Sequence, residues 1–108
     1  MRMPDTSSPD EHPTLGLDDV VHQRTRLGIL SLLRDGASMQ FGVLRETLRL
    51  TDGNLNRHLK VLVDAGLLES TREERKGRAR TWVTITPAGR AALDAEIAAL
   101  RTLIGAHD

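Results

Sequence analysis

The stretch from Leu50 to Gly66 constrains this chain more than any other. It opens on Leu50-Thr51-Asp52-Gly53, a turn with a capping residue. Thr51 or Asp52 can accept a hydrogen bond from the free N–H groups of the next helical turn. Leu55, Leu59, Leu62 and Val63 follow at helical spacing and mark a buried face. Ala65-Gly66 closes the segment, with Gly66 as a left-handed cap. A helix is therefore expected over Asp52–Ala65, entered by a tight turn and left by a sharp stop.

The segments around it fall into an order. Residues 1–13 hold three of the four prolines and read as a flexible tail, leaving 14–108 as one domain. Asp18-Asp19 suit a helix N-terminus, where the dipole favours negative charge. Leu17, Val20, Val21, Leu27, Ile29, Leu30, Leu32 and Leu33 then make one helix that is apolar on more than one face, ended by Asp35-Gly36. Such a helix needs two burial partners, the domain's own core and a second subunit. Ser38-Met39-Gln40 is too short to classify. Phe41, Leu44, Thr47 and Leu48 give a short helix. After the Asp52–Ala65 helix, 67–72 reads as a strand, 75–80 as a charged loop around Gly77, and the β-branched run 81–85 as a second strand. Together they form a β-hairpin with a long basic tip. Thr86 caps a last helix with Pro87 at its first position, and Leu93, Ile97, Leu100 and Ile104 stripe it.

Composition removes several classes of function. The 108 residues carry no Cys, so there is neither a disulfide framework nor a thiolate metal site. His12, His22, His58 and His107 show no paired ligand spacing, and no metal or cofactor is expected. His22 and His58 read as helix-surface or packing residues. No nucleophile–base or glycine-rich phosphate signature is present, so the chain is not read as an enzyme. No apolar run spans a bilayer and the N-terminus lacks an apolar signal core, absences that favour the cytoplasm.

The order helix, short helix, tight turn, helix, hairpin, helix contains the unit that sets a recognition helix into the major groove of duplex DNA. At about 100° per residue, Gly53, Asn56, Arg57, Lys60 and Asp64 face away from the leucine stripe, with Asn54 on the flank. Asn can pair bidentately with adenine and Arg with guanine, so Asn54, Asn56 and Arg57 are the candidate base readers. Gly53 allows close approach to the backbone, and Lys60 suits a phosphate. Any one of these alone would be an ordinary solvated residue; their place after the turn and before a basic hairpin makes them a group.

A net charge of +0 argues against a generic nucleic-acid binder, so the DNA surface must come from uneven placement. The hairpin supplies it. Arg72, Arg75, Lys76, Arg78 and Arg80 stand against Glu73 and Glu74, a local excess of three positive charges. A basic hairpin tip suits phosphates or the minor groove.

Four stretches carry a resemblance. Val21-His22-Gln23-Arg24-Thr25-Arg26-Leu27-Gly28-Ile29-Leu30 resembles the first helix of small prokaryotic winged-helix regulators of the MarR/ArsR-like class. The run from Leu50 to Leu62 is similar to the recognition helix of one subgroup. Ala65-Gly66-Leu67-Leu68 and the run from Arg80 to Arg90 match its hairpin and the start of its last helix. The resemblance covers about residues 17–104. It implies a mainly α fold with a small β-hairpin wing, a homodimer held by the first and last helices, and a pseudo-palindromic operator, most commonly a repressor's. Leu17, Val20, Val21, Leu93, Ile97, Leu100 and Ile104 would form the dimer interface. Thr51, Asp52, Gly53, Asn54, Asn56, Arg57, Lys60, Arg75, Lys76, Arg78 and Arg80 would meet DNA. Two other uses fit the same architecture: a protein-interaction adaptor, and a sensor with a small-molecule effector near the dimer interface. Metal-sensing members of the class often use Cys, which this chain lacks.

Overall fold

A computed structural model describes residues 19–105. The tail, Leu17 and Asp18 lie outside the described residues. The elements run α1 (Asp19–His22), α2 (Arg24–Leu33), β1 (Met39–Gln40), α3 (Phe41–Thr47), α4 (Asp52–Asp64), β2 (Leu68–Arg75), β3 (Arg78–Ile85) and α5 (Pro87–Gly105). The expected mainly α fold with a hairpin wing is present. The sheet has a third strand, in the antiparallel order β1-β3-β2.

Three local details differ from the sequence reading. The first helix is broken. Gln23 leaves helical geometry at ψ 130, and its side-chain oxygen accepts from the N–H groups of Thr25 at 2.7 Å and Arg26 at 3.0 Å. Gln23 thus caps α2 and starts a new axis. The segment 38–40 contains a strand, β1, whose Met39 and Gln40 pair with Val83 and Trp82. The hairpin has no long loop. Its ladder continues to the pair Arg75–Arg78, and only Lys76 and Gly77 turn the chain, with φ of 53 and 76. Two successive positive φ values define the turn whose twist matches a hairpin's strands.

α4 starts and stops as expected. The Thr51 hydroxyl accepts from the Asn54 N–H at 3.1 Å. At the other end Gly66 takes φ 77, its N–H donates to the Val63 carbonyl and the Leu67 N–H donates to the Leu62 carbonyl, both at 2.9 Å. That pair of reversed bonds satisfies the last carbonyls of the helix. The same closure ends α3, with Arg49 in the left-handed position at φ 54. Arg49 adopts there a conformation that usually falls to glycine.

The core joins every layer. Ile29, Leu30 and Leu33 from α2, Leu44 from α3, Leu55, Leu59 and Leu62 from α4, Leu67 and Leu68, Val83 and Ile85 from β3, and Leu93 from α5 form one buried cluster with Val21. Val63, expected on the buried face of α4, is 36% exposed, and His58 takes the inward position instead. The stripe is the narrow one of Leu55, His58, Leu59 and Leu62. Thr86 ties the hairpin to α5. Its hydroxyl donates to the Gly66 carbonyl at 2.7 Å and accepts from the Gly89 N–H at 2.9 Å. Its own N–H donates to the Leu67 carbonyl at 3.1 Å.

Candidate nucleic-acid interface

The fold puts the candidate base readers on one open surface. Thr51, Asp52, Gly53, Asn54, Asn56, Arg57 and Lys60 are all exposed, while Leu55, His58 and Leu59 between them are buried. Two internal contacts organise this face. The Arg57 guanidinium donates to the Asn54 side-chain oxygen at 3.3 Å, and Lys60 Nζ pairs with Asp64 Oδ2 at 3.0 Å. Both groups of the Lys60–Asp64 pair are well exposed, so the pair is worth little and can be exchanged for a phosphate.

Asp52 and Thr51 have structural duties that the sequence left open. Thr51 is the N-cap. Asp52 stands in the first turn of α4, where a carboxylate is favoured by the helix dipole. It also accepts from Arg45 Nη1 at 2.7 Å, across the turn between α3 and α4. The Asp52 carboxylate pushes the Arg45 guanidinium further above its ordinary range, first through that hydrogen bond and then through its charge. Arg45 was missed by sequence reasoning. A single arginine in a short helix carries no signal until the turn folds it against Asp52.

The hairpin gathers positive charge on one side. In antiparallel pairing, directly opposed residues share a face. Arg75 opposes Arg78, Glu73 opposes Arg80 and Thr71 opposes Trp82, whereas the core residues Leu68, Val83 and Ile85 belong to the other face. Arg75, Lys76, Arg78 and Arg80 line a concavity of about 350 Å³. Arg72 leans to Glu74 at 3.8 Å. The charge excess read from the sequence is therefore held by two paired strands instead of a loose tip.

His58 links this face to the rest of the domain. It is 7% exposed, and Arg26 Nη1 lies 3.4 Å from its Nδ1. The same arginine donates through Nε to the Val20 carbonyl at 2.6 Å. Burial pushes the His58 pKa below its ordinary 6.5, and the charges of Arg26 and Arg57 push it the same way. The folded imidazole is thus neutral where an unfolded one begins to protonate. Its contribution to stability is complete above pH 6.5 and is lost as pH falls from there through the lower folded value. Replacing His58 with Gln is expected to flatten the fall in melting temperature between about pH 7.5 and about pH 5. Parallel melting curves for the two proteins over that range would exclude His58 as the titrating group.

The apolar residues assigned to a partner divide into two sets. Val21 and Leu93 are 0% exposed within the single chain, so they are corrected to core residues. Periodicity marks a position as apolar but does not say what covers it. Val20, Ile97 and Leu100 are half-buried, and Ile104 is 68% exposed near the end of α5. Leu32, on α2, is 39% exposed.

A family model described as a winged helix DNA-binding domain matches residues 25–104. The chain belongs to that family. An uncharacterised protein of Methanocaldococcus jannaschii is 45% identical over 67 residues, 62% of this chain and 73% of that protein. A transcriptional regulator homologue from Pyrococcus horikoshii has a similar solved structure, with a TM-score of 0.77 at 30% identity over 82% of this chain and 88% of that one. A variant of Lactococcus lactis ZitR, solved in complex with DNA, shares the fold at a TM-score of 0.60 and 20% identity over 83% of this chain and 60% of that one. ZitR is a zinc-responsive MarR family member. Within this winged helix frame α3 and α4 are the two helices joined by the tight turn, and the β2–β3 hairpin is the wing. Among the described residues no helix is long and apolar enough to cross a membrane.

Proposed function

We propose that this winged helix protein is a sequence-specific transcriptional regulator, a binding protein and not an enzyme, that represses by occupying promoter DNA as a homodimer on a pseudo-palindromic operator. One observation carries the reading: a chain of net charge +0 sets a local excess of positive charge on the hairpin, whose Ser70 and Thr81 share a cavity with Asn56 and Lys60 of α4. A solvated surface with no partner has no need of that segregation. The description of the Pyrococcus horikoshii neighbour as a transcriptional regulator homologue supports the regulatory role.

In this reading α4 enters the major groove with Asn54, Asn56 and Arg57 on base edges. Gly53 has open space where a Cβ would stand, which leaves room for the DNA backbone. Lys60, Arg75, Lys76, Arg78 and Arg80 hold phosphates or reach the minor groove. The second subunit covers α5 around Ile97, Leu100 and Ile104, and Val20 is assigned to the same interface. The exposed Ile104 and the half-buried Ile97 and Leu100 on the same helix support that assignment.

Selection of bound duplexes from a random DNA pool tests the proposal. A palindromic consensus with half-sites about one helical turn apart is expected. Recovery of unrelated sequences would reject specific recognition, and a single unrepeated half-site would reject the dimer. On the selected duplex, Arg57→Ala is expected to cost about 1–3 kcal/mol and to relax preference at one base position. Unchanged affinity and preference in that variant would remove Arg57 from the base readers.

A further inference from the structure

A second basic feature lies between α3 and β3. β1 covers β3 only at Val83 and Trp82, so the next stretch of that edge carries no strand. There Ala79, Arg80 and Thr81 face Gln40, Phe41, Gly42 and Arg45 across a cleft of about 250 Å³. Arg45 comes from α3 and Arg80 from β3, so an arginine lines the cleft from each side. Glu73 lies opposite Arg80 in the ladder.

Arg45 is held but not used up. Its Nη1 donates to Asp52 at 2.7 Å, while its Nη2 stands 4.0 Å from Glu46 Oε2. A guanidinium has five N–H donors in a rigid fork and can serve a carboxylate and a phosphate together. The Asp52 contact fixes where the fork points, which lowers the entropy lost when an anion binds.

Geometry supplies the anion. When a helix occupies the major groove and a wing reaches the adjacent minor groove, the sugar–phosphate strand separating the two grooves must pass between them. The cleft is bounded on one side by Arg45, which is tied to the first turn of α4 through Asp52, and on the other by β3 of the wing. We propose that Arg45 and Arg80 clamp one DNA backbone phosphate between α3 and β3. The clamp rests on the assignment of α4 to the major groove, and it adds α3 to the DNA-binding surface.

The test uses a selected duplex and measures affinity against salt for the wild-type protein, Arg45→Gln, Arg80→Gln and the double variant. Each single change is expected to weaken binding roughly tenfold and to lower the salt slope. The double variant should lose less than the product of the two, because both arginines serve one phosphate. A neutral methylphosphonate placed at successive backbone positions of the duplex should, at one position, reproduce the loss seen in the single variants and abolish the effect of Arg45→Gln. Melting curves establish that each variant is folded. Wild-type binding with no change in Arg45→Gln, or with losses that multiply independently, overturns the clamp and leaves the wider DNA-binding proposal standing. Absence of any wild-type binding to duplex DNA overturns both.

Discussion

Replacing Gly89 with alanine is expected to destabilise the protein by roughly 3 kcal/mol and to lower its melting temperature by more than about 10 °C. Gly89 is buried in the first turn of α5. A Cβ there would overlap the carbonyl oxygen of Leu67 and come within 2.8 Å of Ile85 Cγ1. Neither neighbour can yield easily. The Leu67 carbonyl accepts from the Thr86 N–H, and its residue follows the glycine that closes α4. Ile85 belongs to the core and ends β3. Relief would require α5 to move away from the hairpin, which loosens the hydrogen bonds of Thr86 with Gly66 and Gly89. Thermal or urea unfolding measures the effect. A midpoint near that of the wild type would show that this packing is softer than the geometry indicates.

Replacing Arg75, Arg78 and Arg80 together with Gln is expected to weaken DNA binding at least a hundredfold at moderate salt. The dependence of log affinity on log salt should fall by about 0.9 for every phosphate that is no longer neutralised. The fold should not suffer. Arg75 and Arg78 oppose each other directly across the tight turn, and like charges so placed are unfavourable. Their removal should leave the melting temperature unchanged or raise it. The two readouts together distinguish a binding surface from a hairpin that uses charge only to resist aggregation. Equal affinity and salt slope in the triple variant would assign the wing to that second role.

What could be read from the sequence follows the range of the interactions involved. α4 was legible because both of its boundaries are chemically local: a threonine cap at its start and a glycine at its end. Its exposed polar residues were legible for the same reason, since a known helix phase fixes their direction. The break at Gln23 was not, because glutamine rarely caps a helix and does so here through its own long side chain. The tight hairpin turn was hidden by Lys76, a residue that seldom takes positive φ. β1 is two residues long and exists only because β3 lies beside it. Arg45 depends on neighbours that arrive when the turn brings α3 against α4 and β3. Val21 and Leu93 read equally well as partner-facing because an apolar stripe looks the same whichever surface covers it.

The unsupported end of the hairpin also sets a length. From Thr81, beyond the last residue that β1 braces, to Arg78 at the turn, β3 advances by about 3.3 Å per residue, or roughly 10 Å. Duplex DNA rises about 3.4 Å per base pair, so this arm measures about three base pairs beyond its brace. In the proposed DNA complex the wing therefore works as a ruler for the footprint. Deleting two successive opposed pairs, Glu73 with Arg80 and Glu74 with Ala79, would draw the tip back by two residues on each strand and keep Arg75 and Arg78 on their face. On the proposed operator, the protected region should then shorten by about two base pairs at each outer edge, without altering the bases assigned to α4.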